Sequence, residues 1–259
     1  MAGDIIELTK NKGIATITLN RPEVLNAVNR DFMNYMPQIV DDIDRDEDVR
    51  VVVITGTGRA FSAGGDLHDF PLDLENPTIT KDVLASWHKV FVKIRALNQP
   101  VIAAVRGPAM GAGCDLALVA DMRIVTEDAK FSQAYVRVGI PPDSGGTYLL
   151  PRLIGIARAS EMLFTGRAVD AQEALRIGLV NMVVTSDELE KVVADIAGAI
   201  AKGPKRAIGM IKRAIYRSQY NSLETELEQI ASDVSICAVT DDVKEGIAAF
   251  NEKRAPVFK

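Results

Sequence analysis

Two glycine-rich segments are the first sign of chemistry in this sequence. Residues 59–67 read Arg-Ala-Phe-Ser-Ala-Gly-Gly-Asp-Leu, and residues 105–116 read Val-Arg-Gly-Pro-Ala-Met-Gly-Ala-Gly-Cys-Asp-Leu. Glycines let the backbone turn sharply or approach a ligand closely. The second segment opens a predicted helix, whose first N–H groups have no acceptor within the helix and stabilise negative charge. Together the segments indicate an anion or oxyanion site, and the alternative is two loops that simply pack against each other.

The glycine spacing does not fit a nucleotide-binding fingerprint. After Gly56 and Gly58 the pattern needs a glycine at position 61, which is Phe61. After Gly111 and Gly113 it needs one at position 116, which is Leu116. A Gly-Lys-Ser or Gly-Lys-Thr triplet is also missing from the sequence.

Two aspartates close to these segments are candidates for proton transfer. Asp115 lies within apolar residues 110–120, where a buried carboxylate is costly unless it has a partner or a use. Asp143 precedes a predicted helix start at Ser144 or Gly145, where an aspartate commonly caps the helix. Carboxylates are among the side chains used in general acid–base catalysis. The alternatives are a structural hydrogen bond for Asp115 and an N-cap for Asp143.

Alternating β-rich and helical segments must position these residues. Strands are predicted at residues 14–19, 51–55, 101–105, 122–126 and 180–184, and helices at residues 30–44, 82–97 and 110–120. After residue 186 the pattern predicts helices alone, at residues 187–202, 204–219, 222–236 and 241–251. This order predicts the α/β class, with a largely parallel sheet in a core of residues 1–190 and an all-helical segment in residues 191–259. Both glycine-rich segments follow strands, at the edge where ligands collect in such folds.

Composition and charge argue against several classes of protein. The chain has 259 residues, and its 30 basic and 35 acidic side chains give a net charge of −5. This balance argues against a general nucleic-acid binder, and no run approaches the roughly 18 apolar residues of a membrane span. Two cysteines, two histidines and no Cys-x-x-Cys pair argue against a disulfide framework and a protein-built metal site. We expect a cytoplasmic protein with no metal and no signal peptide.

Residues 60–67 and 111–117 resemble the two signature segments of the crotonase superfamily, which contains the enoyl-CoA hydratases and isomerases. The likeness includes residues 20–27, 99–105, 145–147 and 150–155, and it runs in matching order over roughly residues 5–255. The resemblance implies a crotonase-like spiral of ββα units with a C-terminal all-helical trimerisation segment. It also implies an acyl-CoA substrate, no cofactor beyond the coenzyme A moiety of that substrate, and a homotrimer or a dimer of trimers.

The same resemblance implies roles for individual residues. The backbone N–H groups of Gly65 and Ala112 would stabilise the thioester oxyanion, and Asp115 and Asp143 would move protons. Tyr135 stands where the family's hydratases carry a second glutamate, and it either donates a hydrogen bond or fills the space of that glutamate. The predicted coenzyme A contacts are Val24, Leu25, Ala63, Gly64, Asp66 and Leu67, with a helix cap as the alternative for Asp66. The predicted acyl pocket includes His68 and Tyr135, and for Phe70, Leu72, Trp87 and Phe91 an acyl pocket and ordinary core packing are both open.

We expect double-bond isomerisation of a coenzyme A thioester. Isomerisation needs one or two carboxylates near the α and γ carbons and no activated water. Hydration in this family uses two carboxylates, and the position of the second one is Tyr135 in this sequence. One alternative is an enoyl-CoA hydratase with an altered second acid, and another, of a different class, is a non-catalytic module that binds coenzyme A or RNA. If the protein is an enzyme of this kind, we expect neither a nucleic acid nor a membrane as its partner.

Overall fold

The computed structural model describes residues 5–69 and 76–258 of the chain. In these ranges the strands are β1 (Ile6–Asn11), β2 (Ile14–Leu19), β3 (Val51–Gly56), β4 (Val101–Val105), β5 (Pro108–Met110), β6 (Met122–Thr126), β7 (Lys130–Ser132), β8 (Ala168–Asp170) and β9 (Met182–Val184). The helices are α1 (Arg30–Arg45), α2 (Pro77–Ala96), α3 (Ala112–Val119), α4 (Gly146–Ile154), α5 (Ile156–Thr165), α6 (Ala171–Arg176), α7 (Leu189–Ala201), α8 (Lys205–Arg217), α9 (Leu223–Ala238) and α10 (Asp241–Glu252). Short 3₁₀ turns lie at Pro22–Val24 and Ala134–Val138.

A six-stranded sheet forms the centre of the fold, in the order β1-β2-β3-β4-β6-β9. Only β1 and β2 pair antiparallel in it, with Ile6 opposite Leu19, and the other neighbours are parallel. A second sheet of β5, β7 and β8 lies beside it. The predicted α/β class with a largely parallel sheet is therefore confirmed, although β1, β5, β7 and β8 are additions to the predicted strands.

The main sheet is covered on both faces, which explains its continuous apolar strands. Val52 and Ile54 of β3 face the core that contains α1 and α2, whereas Val51 and Val53 face the other side. There the apolar side chains of α7, from Leu189 to Ala201, pack on the strands. Helix α7 therefore covers the sheet, although most of it lies beyond residue 190, where the predicted core ended.

Several predicted boundaries were wrong, and local chain geometry explains them. The helix expected over residues 110–120 begins at Ala112, because Pro108–Met110 pairs with β7 instead. The helix expected from residue 82 begins at Pro77, after the side chain of Asn76 accepts a hydrogen bond from the N–H of Thr78. The helix expected at Ser144 or Gly145 begins at Gly146.

A buried arginine closes the carboxyl end of α3. Arg123 of β6 donates from Nη1 to the carbonyl of Ala120 at 2.6 Å and from Nε to the carbonyl of Leu179 at 2.7 Å. Longer hydrogen bonds from Nη1 reach the carbonyls of Leu118 at 3.4 Å and Ala117 at 3.5 Å. Carbonyls at a helix end have no partner within the helix, and here one guanidinium satisfies several of them.

Helices α8, α9 and α10 continue beyond the sheet. The Nζ of Lys212 in α8 lies 2.8 Å from Oδ2 of Asp121, and this pair ties α8 to the end of α3 and the start of β6. Leu223, Leu227 and Val234 of α9 are exposed in the single chain. None of the helices in the described ranges has the length and apolar character needed to cross a membrane.

Candidate active site

The two glycine-rich loops lie side by side and hold each other by backbone hydrogen bonds. The N–H of Ser62 donates to the carbonyl of Pro108 at 3.1 Å, and the N–H of Met110 donates to the carbonyl of Ser62 at 2.9 Å. Gly64 has a φ of +95°, and a Cβ on it would lie 2.6 Å from the carbonyl oxygen of Met110. Only glycine permits that approach, so position 64 fixes the spacing of the two loops.

The N–H groups of Gly65 and Ala112 are free in this arrangement. The carbonyl of Gly64 accepts from Val28 at 2.7 Å and the N–H of Asp66 donates to Val28 at 2.9 Å, so the N–H of Gly65 points to the opposite side of its strand-like segment. Ala112 is the first residue of α3, where an N–H has no acceptor within the helix. Neither N–H donates a hydrogen bond to any residue in the described ranges. Two unused donors on adjoining loops have the character of an oxyanion site.

Asp115 projects from the first turn of α3 and has no exposed surface. Its Oδ1 accepts a hydrogen bond from Nε2 of Gln133 at 2.7 Å, and its Oδ2 accepts one from the hydroxyl of Tyr135 at 2.8 Å. Gly146 lies directly against the carboxylate, because a Cβ there would be 2.6 Å from Oδ1. The carboxylate is thus held in one orientation by three neighbours.

Burial raises the pKa of Asp115 from 3.8 to about 7. The hydrogen bonds from Gln133 and Tyr135 favour the carboxylate and limit this rise, while the nearby negative charge of Asp143 adds to it. A carboxyl group with a pKa near neutrality is present both as an acid and as a base, which suits it to proton transfer at neutral pH. Burial also raises the pKa of Tyr135 well above its usual value, so its hydroxyl is protonated.

Ser144 holds Asp143 in place on the side of the site that Tyr135 borders. The hydroxyl of Ser144 donates to Oδ1 of Asp143 at 2.7 Å and accepts from Nε1 of Trp87 at 2.9 Å. The same hydroxyl interacts with Tyr135 and opposes part of the rise in the pKa of Tyr135. Each acid is therefore held by its own hydroxyl, Asp115 by Tyr135 and Asp143 by Ser144, and the two acids are near enough for the charge of Asp143 to act on Asp115.

Two structural alternatives for these residues are wrong. Asp143 does not cap α4, because the N-cap is Gly145, with a φ of 99° and no capping side chain. Its carboxylate accepts from Ser144 instead. Tyr135 does more than fill space, because its hydroxyl donates to Asp115.

The predicted coenzyme A contacts lie where the chain after β2 meets the first glycine-rich loop. The N–H of Ala63 donates to the carbonyl of Leu25 at 2.8 Å, which places these two segments together. Val24 and Leu67 are exposed beside them. Asp66 accepts from both terminal nitrogens of Arg21 at 3.1 Å, so this ion pair joins the chain after β2 to the first loop. Residues 67 and 68 form a turn rather than a helix, which removes the helix-cap alternative for Asp66.

The residues suggested for the acyl pocket are spread over different environments. His68 is exposed, and its backbone N–H donates to Oδ1 of Asp66 at 3.2 Å. Trp87 and Phe91 are buried, and their rings meet edge to face with centroids 5.0 Å apart, as in core packing. Phe70 and Leu72 lie outside the described residues. Asp143 borders a cleft of about 780 Å³ between α2, α4 and α8.

Three side chains of the site were given no role there by the sequence analysis. Gln133 and Ser144 hold the two acids, as described above. Asn26 is buried behind the first loop, where its Nδ2 donates to the carbonyls of Thr57 at 2.9 Å and Ala60 at 2.8 Å. Gln133 and Ser144 gave no signal of their own in the sequence, since polar side chains of this kind are usually at the surface.

The described residues contain no group of three histidine, cysteine or acidic side chains arranged to hold a metal ion. Cys114 precedes Asp115 and is fully buried, and burial holds the pKa of its thiol far above the usual value. A thiol in this state is a packing group rather than a nucleophile. The groups that this site can use for chemistry are therefore carboxyl, phenol and backbone N–H groups.

Substituting Gly146 by alanine is expected to destabilise the fold at the site. The new Cβ would lie 2.6 Å from Oδ1 of Asp115 and from Oε1 of Gln133, and both side chains are fully buried. Overpacking of this kind costs about 1–3 kcal/mol of unfolding free energy, measurable by urea denaturation. Gly198→Ala in α7 is the matched control, since nothing lies within 4 Å of the new Cβ there. An undiminished unfolding free energy for Gly146→Ala would contradict the packing described here.

The stability of the protein is expected to fall between about pH 4 and pH 7 because of Asp115. Its pKa is 3.8 in the unfolded reference and about 7 in the folded protein, so the folded protein holds a proton that the unfolded chain releases. This contribution is complete below the unfolded pKa and is lost as the pH rises through the folded pKa. Three pKa units correspond to at most about 4 kcal/mol. Urea denaturation at several pH values is expected to give a shallower decline for Asp115→Asn, and equal declines would refute the assignment.

Comparisons with known proteins agree with this geometry. The family model for enoyl-CoA hydratase/isomerase matches residues 9–259. A short-chain-enoyl-CoA hydratase of Clostridium acetobutylicum is 39% identical over 249 residues, which are 95% of this chain and 94% of the relative. A 1,2-epoxyphenylacetyl-CoA isomerase of Escherichia coli is 36% identical over 249 residues, 95% of each chain.

A solved structure of the same family has the same fold over almost the whole chain. The enoyl-CoA hydratase from Bacillus anthracis is 34% identical and superimposes with a TM-score of 0.93, covering 98% of this chain and 99% of that chain. The ββα architecture and the C-terminal helices are therefore those of the crotonase fold. The chain belongs to the enoyl-CoA hydratase/isomerase family of the crotonase superfamily, and it is an acyl-CoA-processing enzyme of that family.

Proposed function

We propose that this enzyme moves a carbon–carbon double bond along the acyl chain of a coenzyme A thioester. The observation that carries the proposal is the state of Asp115, a buried carboxyl with a pKa of about 7, three residues after Ala112 on the same helix. Such a group takes a proton and returns it at neutral pH. Position 135 offers a phenol instead of a second carboxylate, and the high pKa of that phenol makes it a poor base for activating water.

The proposed reaction passes through an enolate. Removal of the α-proton of a 3-enoyl thioester moves the C–H electron pair toward the carbonyl, and negative charge collects on the thioester oxygen. The N–H groups of Gly65 and Ala112 stabilise that charge, each by about 3–4 kcal/mol in comparable sites. Asp115 and Asp143 exchange the proton with the α and γ carbons, and protonation at the γ carbon gives the 2-enoyl thioester.

The coenzyme A moiety is proposed to bind along the junction of the first loop with the chain after β2. Main-chain groups and small side chains dominate this surface, and the proposed contacts are Val24, Leu25, Ala63, Gly64, Asp66 and Leu67. His68 and Tyr135 are proposed to border the acyl group. We propose no cofactor beyond the coenzyme A moiety itself.

Enoyl-CoA hydration is the second candidate function, since the relatives include hydratases as well as isomerases. It would need Asp115 alone to activate water, with Tyr135 acting as a hydrogen-bond donor. A non-catalytic module that binds coenzyme A or RNA is less well supported, because the two free N–H groups and the two neighbouring acids are what an enolate reaction needs.

Incubation with a 2-enoyl-CoA and, separately, a 3-enoyl-CoA in deuterated water tests the proposal. Isomerisation predicts exchange at the α and γ carbons by NMR and no mass gain of water. Dependence of that exchange on both Asp115 and Asp143 would support the proposed acids. A 3-hydroxyacyl product that needs Asp115 but tolerates Asp143→Asn would overturn the proposal in favour of hydration. Inactivity with either substrate, with normal folding and coenzyme A binding, would favour the binding module.

A homotrimer or a dimer of trimers is proposed as the active assembly. Apolar side chains are exposed along the C-terminal helices of the single chain: Ile211, Ile215, Leu223, Leu227, Val234, Ile247 and Phe250. Exposed apolar surface of this extent supports an interface between chains. Sedimentation velocity at micromolar concentration is expected to give three or six times the mass of the chain, and a monomer would contradict this. We also propose a cytoplasmic location, consistent with the two free cysteines.

A further inference from the structure

We propose that the cleft between α2, α4 and α8 selects acyl groups that end in a carboxylate, and that Arg95 binds this carboxylate. The cleft has a volume of about 780 Å³ and is bordered by Asp143, one of the two proposed acids. The inference rests on the proposed function, because it names the class of acyl-CoA that the same site would take.

The two ends of the cleft differ in charge. Asp143 lines it on the loop before α4, and Arg95 lines it at the carboxyl end of α2. Trp87, which precedes Arg95 by about two turns of α2, donates from Nε1 to the hydroxyl of Ser144 beside Asp143 at 2.9 Å. At 1.5 Å per residue, the helix rises about 12 Å from Trp87 to Arg95. The arginine therefore stands well away from the acid, at the other end of the cleft.

The guanidinium of Arg95 is half-buried and has no acidic partner and no hydrogen bond within the described part of the chain. It lies over the ring of Tyr216, 3.8 Å from the centroid, and 5.7 Å from the centroid of Tyr148. Asp121, the acid that Tyr216 contacts, is already paired with Lys212 at 2.8 Å. The rings thus hold the face of the guanidinium and leave its N–H groups available to a ligand.

Arg213 of α8 adds a second positive charge at the same end. It lines the cleft, and its Nη1 donates to Oδ1 of Asn98 at 2.6 Å, three residues beyond Arg95 in the chain. Between the two ends, α2 contributes the apolar side chains of Phe91 and Val92 to the wall. Hydrocarbon therefore fits the middle of the cleft, and an anion fits its far end.

A carboxylate at the end of the acyl chain matches this distribution of charge. A neutral chain against Arg95 would take water from the guanidinium and supply no partner, which costs free energy. The planar fork of arginine donates two parallel hydrogen bonds to a carboxylate while its face stays stacked on a ring. Asp143 repels the same carboxylate, so the reacting carbons are placed near Asp143 and the far end of the chain near Arg95.

Calorimetric binding of saturated, unreactive thioesters tests the proposal without any reaction. The probes are glutaryl-CoA, adipoyl-CoA and suberoyl-CoA, each compared with the methyl-ended acyl-CoA of the same chain length. The coenzyme A moiety is identical within a pair, so the ratio of affinities reports the end of the chain alone. At the length that best spans the cleft, the diacid is expected to bind about 10-fold to 100-fold more tightly. Equal affinities within every pair overturn the proposal.

Substitutions of Arg95 test its part in this preference. Arg95→Gln is expected to bring the affinity for the diacid close to that for its methyl-ended partner. Arg95→Lys is expected to keep part of the preference, because the charge remains and the planar fork is lost. A folded Arg95→Gln protein with the full preference overturns the assignment, and so does an Arg95→Lys protein with a greater preference than the unmodified one.

Arg152→Gln is the matched control. Arg152 stacks on the ring of Tyr148 at 3.7 Å, much as Arg95 stacks on Tyr216, but it is not among the residues that line the cleft. The full preference for the diacid is expected in this variant. Losses of equal size in Arg152→Gln and Arg95→Gln would trace the preference to the general charge of the surface and overturn the site.

The same pairs, prepared as 3-enoyl thioesters, separate this inference from the proposed reaction. A diacid preference in binding without movement of the double bond in either member supports the inference and overturns only the reaction. Isomerisation of both members with equal rates and equal affinities overturns the inference and leaves the reaction in place.

Discussion

Replacing Asp115 by asparagine is expected to lower kcat for isomerisation by about 10²–10⁴-fold, with a much smaller change in KM. An amide of the same shape still meets Gln133 and Tyr135, but it neither accepts nor returns a proton in the relevant pH range. The measurement is the initial rate with a 3-enoyl-CoA, followed by NMR or by absorbance of the conjugated product.

Asp170→Asn is a matched control for this change. Asp170 caps α6 by accepting from the N–H of Glu173 at 2.8 Å, and asparagine serves equally well as an N-cap. Rates and unfolding should therefore stay unchanged in this variant. Retention of the full rate by a folded Asp115→Asn enzyme would remove Asp115 from the proton path and leave Asp143 as the remaining acid.

The second large effect is expected from Ala112→Pro, which removes one N–H of the proposed oxyanion site. Ala112 is the first residue of α3, and proline is tolerated at that position because its N–H has no partner in the helix. Loss of one oxyanion donor lowers kcat by about 10²–10³-fold in comparable enzymes. Binding of free coenzyme A, measured by calorimetry, should change little, because the proposed contacts to the nucleotide and pantetheine lie along the other loop.

Ile156→Pro provides the control for the proline itself. Ile156 is the first residue of α5, follows a glycine N-cap as Ala112 does, and is 77% exposed. Activity close to that of the unmodified enzyme is expected. A comparable rate for a folded Ala112→Pro variant would show that the thioester oxygen does not rely on that donor.

The main strands could be predicted because the residues that form them are consecutive apolar residues, visible in the sequence itself. β3 and β4 are runs of β-branched and small apolar residues buried on both faces, and such runs form strands in any α/β fold. β5, β7 and β8 have three residues each. They exist because the second glycine-rich loop lies beside Lys130–Ser132, a tertiary contact with no local pattern.

The site divides in the same way. The resemblance to the two crotonase signature segments named Gly65 and Ala112, whereas the residues alone indicated only an anion site at the two glycine-rich segments. The partners of the acids were not predictable, since Gln133 and Tyr135 reach Asp115 from 18 and 20 positions away in the chain. The prediction that Asp143 caps a helix was wrong for a related reason. The hydroxyl of Ser144 competes with the backbone N–H groups of the helix for the Asp143 carboxylate, and only the side-chain geometry decides between them.

Arg123 places a positive charge at the carboxyl end of α3, a helix whose own residues include no basic side chain. The guanidinium at the carboxyl end of this eight-residue helix stands about 12 Å from the free N–H at its other end, at 1.5 Å per residue. Neighbouring Asp121 and Lys212 neutralise each other, so this ion pair does not cancel the charge of Arg123. At an effective dielectric constant of about 20, that charge attracts an anion at the helix start by about 1.4 kcal/mol. A distant cation fixed in the core would thus favour the proposed enolate without touching the substrate, and at no cost in movement when the charge appears.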